Sequence, residues 1–250
     1  MSTGIVTDLR PPESSSAIVR KLGAMTLLSE MEISFLESLQ INRIQVEDQV
    51  DFIQDGQDLK ATFIVTSGWA IRYLLTEDGR RQILSFALPG DILGLHINFQ
   101  RKSTYNAAGI HDLELAVIDP LRTIEVSQKY PVLSAGFSWC TAREFAILGD
   151  QALRLGRLSA FKKLCHLLLE LWHRLRLINE TDGPWFELPL RQIDLADALG
   201  LSNVHINRQL QDMRRAGLIT QQKNWIKIEE VEKMIEIAEF DTSHLAEFRI

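Results

Sequence analysis

The sequence predicts an α+β chain: a helical start, an antiparallel β unit, a long central helix, and a helix–turn–helix followed by a β-hairpin. Three observations predict it. Residues 41–125 break into short β-rich runs separated by the turn signals DGQD, SGW, EDGRR and LPGD. Residues 131–155 carry an unbroken helical period. Residues 198–210, ALGLSNVHINRQL, place a glycine two residues ahead of a helix-capping serine, which stops one helix and starts another at a sharp angle. Strands and helices do not alternate, which argues against a doubly wound sheet.

Residues 1–16, with Pro11-Pro12 and a serine run, read as a flexible tail without the basic and apolar blocks of a signal peptide. Residues 17–40 have helical spacing, with Leu27-Leu28, Ile33, Phe35-Leu36 and Leu39 recurring at three and four. Ser29 followed by Glu32 is a capping-box pattern. In WAIRYLLTEDGRRQILSF two strands flank Asp78-Gly79, the pair favoured in a type I′ turn. Strands this short and evenly spaced indicate a small barrel or sandwich. Along the central helix, Phe145, Leu148, Ala152 and Leu155 step three, four, three. That stripe must be buried, either on the same helix of a second copy or on the chain's own β unit. Gly156 is expected to break the run. Ser159 can cap a second helix, AFKKLCHLLLELWHRLRLIN, which TDGP ends at Gly183 and Pro184.

The elbow joins two short helices. QIDLADAL offers Ile193, Leu195, Ala196 and Leu199 as an inner face; Gly200 can take positive φ and Ser202 can cap the second helix. NVHINRQLQDMRRAG turns Ile206, Leu210, Met213 and part of Val204 inward, and Gly217 stops it. The outer face near its start shows Asn203, His205, Asn207 and Arg208, short or fork-shaped groups suited to base edges. LITQQKNWIKI then reads as a hairpin with Lys223-Asn224 at its tip. Two helices and a basic hairpin make a winged helix-turn-helix. Residues 203–228 hold five basic side chains against one acidic, whereas residues 229–250 hold seven acidic and two basic. The net charge of −6 therefore excludes a wholly basic coat but leaves one positive face. A helical corner that only packs is the plainer alternative; the wing, the charge switch and the polar outer face favour nucleic acid.

The stretches LPLRQIDLADALGLSNVHINRQLQDMRRAGLI, LTEDGRRQILSFALPGDILGLH, LGRLSAFKKLCHLLLEL and IAEFDTSHL together resemble the Crp/Fnr superfamily of bacterial transcription regulators, from about residue 20 to 245. The resemblance implies a cyclic-nucleotide-binding-like β-roll over 17–130 and a dimerisation helix over 131–157. It implies a winged helix-turn-helix over 158–230 and an acidic C-terminal helix and tail over 231–250. It further implies a homodimer on a palindromic double-stranded DNA site, and RNA polymerase as a partner. Asn203, His205 and Arg208 are then the expected base contacts, and Arg191, Gln192, Ser202 and Lys223 the expected phosphate contacts. Two departures stand out. Val204 replaces the glutamate with which many relatives read guanine. Arg191 replaces the usual Ser or Thr cap, which is unfavourable for the helix dipole but suited to a phosphate.

Cyclic-nucleotide binders of this superfamily hold ribose and phosphate with a Gly-Glu pair and a later Arg-Ser pair. Here Gly94 precedes Leu95, and the second pair falls at Ser103-Thr104, with Arg101 and Lys102 out of register. Binding of cAMP is therefore not expected. An effector, if one exists, is assigned to Gly90, Gly94, Ser103, Thr104 and Tyr105. The oxygen-sensing branch needs an N-terminal cysteine cluster. The only cysteines are Cys140 and Cys165, so an iron–sulfur cluster is excluded and no cofactor is expected. His96 and His111 lack chelating spacing, and His166 and His173 are about 10 Å apart along a helix. Cys140, Tyr105 and Trp69 read as packing residues before sensors. A cupin-type metal enzyme would need a His-x-His pair that the chain lacks, so no enzyme is expected; a scaffold whose helix-turn-helix binds protein remains the alternative. No apolar run approaches the ~18 residues of a membrane span. Two lone cysteines fit a reducing, cytoplasmic compartment.

Overall fold

The computed structural model describes residues 15–95 and 102–241. Most of the expected tail, His96, Arg101 and residues 242–250 lie outside the described residues. The helical spacing of 17–40 resolves into two helices, α1 (Ala17–Gly23) and α2 (Glu30–Ser38). The break falls where Ser29 caps α2: its Oγ accepts the Glu32 N–H at 3.3 Å and the Glu32 carboxylate accepts the Ser29 N–H at 2.8 Å. Those reciprocal bonds satisfy two N–H groups that the first turn leaves free.

Strands β1 (Arg43–Val46), β2 (Asp51–Ile53), β3 (Thr62–Leu75), β4 (Arg81–Ala87), β5 (Ile92–Leu93) and β6 (Asn106–Ile118) form one antiparallel sheet, ordered β1-β6-β3-β4, with β2 on β6 and β5 on β3. The long strands β3 and β6 shift register three times against each other, which bends them and curls the sheet. At one bend Gly68 has φ +72°, and a Cβ there would lie 2.2 Å from the Asp112 carbonyl oxygen, so only glycine fits. Alternation sends Phe63, Val65, Leu113 and Leu115 to the roll's interior and Ile64, Ala116 and Ile118 to the core beneath the helices.

The β3–β4 hairpin differs from expectation. Thr76 N–H donates to the Arg80 carbonyl and Gly79 N–H to the Thr76 carbonyl, both at 2.9 Å. Gly79 takes positive φ (+78°) and Asp78 does not. The turn is a three-residue loop with a left-handed glycine, not a two-residue type I′ turn. Asp78 instead spends its carboxylate on the Thr76 hydroxyl and on Arg80 Nε.

Helix α3 (Pro120–Lys129), which sequence reading missed, starts where the Asp119 carboxylate accepts the Leu121 N–H at 2.8 Å and Pro120 occupies the first turn. Helix α4 (Pro131–Arg157) comes next and runs through Gly156; the chain turns instead at Leu158, in an extended conformation. Nothing lies within 4 Å of a Cβ at Gly156, so this glycine adds cost but no obstruction. Ser159 caps α5 (Ala160–Leu177).

Beyond α5 come β7 (Thr181–Asp182), β8 (Trp185–Glu187), α6 (Gln192–Leu199), α7 (Asn203–Arg215), β9 (Ile219–Gln222), β10 (Trp225–Ile228) and α8 (Val231–Ala238). The TDGP segment is thus the turn of a small hairpin rather than a helix end. Its strands enlarge the wing to a four-stranded sheet, β7-β8-β10-β9, with Phe186 fully buried. Strands of two and three residues are too short to show an alternation. One apolar cluster joins Trp69, Ile71 and Phe86 of the β-roll to Leu168, Leu199 and Ile206 of the helical domain, so the two halves share a core.

Candidate nucleic-acid interface

The elbow is built from backbone geometry. Gly200 sits at φ +63°, ψ +40°, and Leu201 N–H donates to the Ala196 carbonyl at 3.0 Å, closing α6. A Cβ on Gly200 would lie 3.2 Å from Leu155 of α4, so the turn is also pressed against the central helix. Ser202 Oγ accepts the His205 N–H at 3.3 Å and lies 3.0 Å from His205 Nδ1. At the other end Gly217, at φ +66°, lets Leu218 N–H reach the Met213 carbonyl at 3.0 Å.

Ile206, Leu210 and Met213 are buried, which fixes the rotation of α7. Two expected inward residues are not inward. Val204 is 78% exposed and stands on the outer face. Ile193 is 40% exposed, and the fully buried position on that turn belongs to Asp194. The outer face of α7 presents Asn203, Val204, His205, Asn207 and Arg208 to solvent. Their bonds are local: Asn207 accepts from Gln211 at 3.1 Å, and Arg208 Nε lies 3.9 Å from Asp212. The Arg208 side chain keeps 75% of its surface exposed. Lys223, at φ +53°, occupies the wing tip in the open, whereas Lys227 is paired with Glu229 at 2.5 Å.

Arg191 is differently engaged. Its Nε and Nη2 bond Asp194 at 2.9 and 3.0 Å, and Nη2 also reaches Gln49 of the β-roll at 2.8 Å. Asp194 accepts the Arg191 backbone N–H at 3.1 Å, which is the acid's half of a capping box; Arg191, with donors only, cannot supply the half that Ser or Thr does elsewhere. Asp194 is also bonded to Arg81 of β4 at 2.7 Å. Burial alone would raise its pKa; Arg191 and Arg81 overcome that and hold it low. Gln192 is exposed beside it.

Sequence reasoning missed the seam that orients the elbow. Arg81 bonds Asp197 at 2.8 Å as well as Asp194. Gln82 donates to the Asp197 carbonyl at 2.9 Å. Gln151 of α4 bridges the carbonyls of Ile83 at 3.0 Å and Ala198 at 2.5 Å. Behind it, Arg154 bonds Gln151 at 3.0 Å and the fully buried Glu170 at 2.5 Å, and Glu170 bonds Arg174 at 2.9 Å. Arg174 continues to Asp91 at 2.6 Å. Gln151–Arg154 and Glu170–Arg174 lie within one helix at three and four residues, but no local signal announces the others, because each joins different elements.

In the β-roll, Gly90 (φ +81°) and Gly94 (φ +80°) make tight turns; a Cβ on Gly90 would collide with the Ala17 carbonyl at 2.8 Å. Leu95 packs against the core beneath the helices. Ser103 is buried, and its hydroxyl donates to the Tyr105 carbonyl at 2.7 Å. Thr104 is exposed and Tyr105 buried. Arg72 stands over the Tyr105 ring at 5.7 Å and pairs with Glu144 of α4 at 3.0 Å. Trp69 packs edge-on to Phe86. Burial raises the pKa of both cysteines, Cys165 to about 12, so both remain thiols. His111 lies 3.6 Å from Glu187, and Phe240 stacks on His173 and meets His166 edge-on. Among the described residues no three His, Cys, Asp or Glu side chains are grouped to hold a metal, and no helix is long and apolar enough to cross a membrane.

Residues 44–130 match the family described as cyclic nucleotide-binding domain, and residues 162–237 match the Crp-like helix-turn-helix domain. The chain is 32% identical to the nitrogen fixation regulation protein FixK of Bradyrhizobium diazoefficiens, over 65% of this chain and 68% of that one. It is 31% identical to the transcriptional activator protein FnrL of Cereibacter sphaeroides, over 75% and 76%. Among solved structures, FixK2 of Bradyrhizobium japonicum superposes with a TM-score of 0.70 at 22% identity, covering 78% of this chain and 96% of that one.

Proposed function

The chain belongs to the Crp/Fnr superfamily of transcription regulators, and on that premise we propose that it binds palindromic DNA as a homodimer, with α7 in the major groove. Its helix-turn-helix is that of a DNA-binding regulator, a family of regulators rather than enzymes. The observation that carries the reading is the outer face of α7, where Asn203, His205, Asn207 and Arg208 stand exposed around Val204, their bonds confined, among the described residues, to their own helix and its cap. Arg208 would read guanine, with Asn203 and His205 on neighbouring bases. Gln192, Ser202 and Lys223 would take phosphates; Arg191 would join them by exchanging Gln49 for a phosphate oxygen.

The second copy would bind along α4. Phe145, Leu148 and Ala152 lie exposed on one side of that helix, with Phe145 79% exposed. An apolar stripe of this kind in a monomer fits a parallel helix pair. Dimer symmetry would set the half-sites about 34 Å apart. A cytoplasmic location, contact with RNA polymerase and the absence of catalysis belong to the same reading. Control by cyclic nucleotide is not part of it: Leu95 supplies no ribose ligand, and the Ser103 hydroxyl is bonded to its own loop. Nor is an iron–sulfur cluster, with both cysteines buried.

Selection from a random duplex library with reduced, ligand-free protein tests the proposal. A two-fold symmetric motif is the expected product. Enrichment of nothing by a folded dimer would count against it. In sedimentation, Phe145→Asp should shift the dimer to monomer; an unchanged dimer would place the interface elsewhere.

A further inference from the structure

Helix α7 is carried by α6 through the Gly200 elbow, so whatever orients α6 orients α7. The covalent link from the central helix is slender: only Leu158 and Ser159, both extended, separate α4 from α5. The buried pairs of Arg154 with Glu170 and of Arg174 with Asp91 anchor α5. Apolar burial joins the two halves, but it has no direction. The angle of α6 therefore depends on its polar contacts with other elements.

The last carbonyls of a helix find no partner within it. At that end of α6 the Ala198 carbonyl accepts from Gln151 of α4 at 2.5 Å, and the Leu199 carbonyl from Lys163 of α5 at 3.2 Å. Gln82 of β4 donates there too, to the Asp197 and Ala198 carbonyls at 2.9 and 3.2 Å. Nearer the N-terminus, Arg81 of β4 spreads its fork over two α6 carboxylates, Asp194 at 2.7 Å and Asp197 at 2.8 Å. A charged guanidinium fork fixes direction as well as distance. The Tyr73 ring lies 5.7 Å from that guanidinium carbon, and the Tyr73 hydroxyl donates to Asp51 at 2.8 Å. Hydrogen bonds from α4 and α5 hold only the C-terminal end of α6, which leaves a pivot; the two β4 side chains add the second point. The bond from Arg191 to Gln49 lies in solvent and is the one a phosphate would replace.

We propose that Arg81 and Gln82 are positioning residues for DNA reading. By fixing α6 from the β-roll they set the separation of the two α7 helices in the dimer, and with it the half-site spacing that the protein accepts. The inference rests on the proposed binding of a palindromic site by a homodimer. One base pair of extra spacer moves a half-site by about 3.4 Å and turns it by about 35°. An elbow free to pivot would tolerate that change, and a gripped one would reject it.

Two measurements test the proposal, the first without DNA. Both native cysteines are buried, so a spin label attached through Gln211→Cys, an exposed position of α7, reports one distance in the full-length homodimer, that between the two α7 helices. In the wild-type background that distance should be narrowly distributed. Arg81→Met should widen the spread by more than about 3.4 Å, one base-pair step. Arg81→Lys, which keeps the charge without the fork, should fall between, and Gln82→Met should act in the same direction. Titrations then use the selected operator and copies with one base pair added to or removed from its centre. Wild type should prefer its own spacing by about tenfold or more, the cost of at least one lost base contact. In Arg81→Met that preference should shrink to about threefold or less, and the best affinity should fall because fewer dimers hold the right separation. Base preference within each half-site should stay as it was.

A seam that merely stabilises would lower Tm in Arg81→Met and change nothing else. Either readout left at its wild-type value in the folded variant overturns the proposal. If Arg81→Met does not fold, Gln82→Met decides by the same two readouts. A wild-type sample without dipolar coupling is a monomer, and one that selects no duplex is not a DNA reader; either result overturns the proposed function and this inference with it. A dimeric, DNA-selecting wild type with an unchanged variant overturns this inference alone.

Discussion

The outer face of α7 and the seam behind α6 use the same side chains in opposite ways. On α7, Asn203, His205 and Arg208 bond only within a turn of their own helix and stay in solvent. In the seam, Arg81, Gln151, Arg154 and Arg174 reach across elements and are half or fully buried. An exposed pair such as Arg208–Asp212, near 4 Å, contributes little to stability. A buried ion that loses its partner costs several kcal/mol. One region is therefore free to be specified by a ligand, and the other is specified by the fold.

The largest effect should come from breaking the seam. Glu170→Gln leaves Arg154 without its buried anion, while Arg174 keeps Asp91, and should cost about 3–5 kcal/mol in denaturant unfolding. Replacing Arg154 and Glu170 together by Met and Leu should recover much of the loss; a double variant as unstable as the single would mean that packing, not charge, dominates there. Next, Arg208→Ala should leave that unfolding curve in place and cost roughly 1–3 kcal/mol in DNA affinity, with relaxed preference at one base pair per half-site. Equal loss on every sequence would reassign Arg208 to a phosphate.

His173 sharpens the comparison through pH. Burial, then the charges of Arg176 and Arg143, lower its pKa from 6.5 to about 4 in the folded chain. The unfolded chain therefore takes up a proton at His173 before the folded one does. Its contribution is present in full above pH 6.5 and is lost as pH falls from there towards 4. His173→Phe should flatten that limb, by about 2 kcal/mol or less once solvent screening is counted. An unchanged slope between pH 6.5 and 4 would move the titration to another group. The smallest effect should be that of Lys223→Ala at the wing tip: slightly weaker binding on all sequences, with the salt slope reduced by about one. A change in sequence preference there would mean that the wing reads bases.

Legibility divides along the same line. Ser29 with Glu32, Gly200 with Ser202, and Gly217 were readable because a cap is satisfied by hydrogen bonds within three to five residues of chain. Ile206, Leu210 and Met213 were readable because their spacing repeats. The small strands β7 and β8 and the helix α3 were not, being too short or too weakly periodic to announce themselves. Val204 and Ile193 were misplaced because periodicity ranks apolar residues without seeing charge. Asp194 is buried on that turn because two arginines meet it there.

By itself, the sequence determined the succession of β unit, central helix and helix-turn-helix, though not α3, β7 or β8, together with the glycine elbow and the exposed polar residues of α7, because these rest on backbone preferences and nearest neighbours. Only the tertiary structure decided where Arg191 points, what Arg81 and Arg174 hold, and that the Arg143 guanidinium is buried against Trp139 with no hydrogen-bond partner for Nη1 or Nη2 among the described residues. Arg81 finds Asp194 across 113 residues and Arg174 finds Asp91 across 83. A charge has no periodicity and no local geometry that names its partner; its partner is whichever opposite charge the folded core leaves within reach.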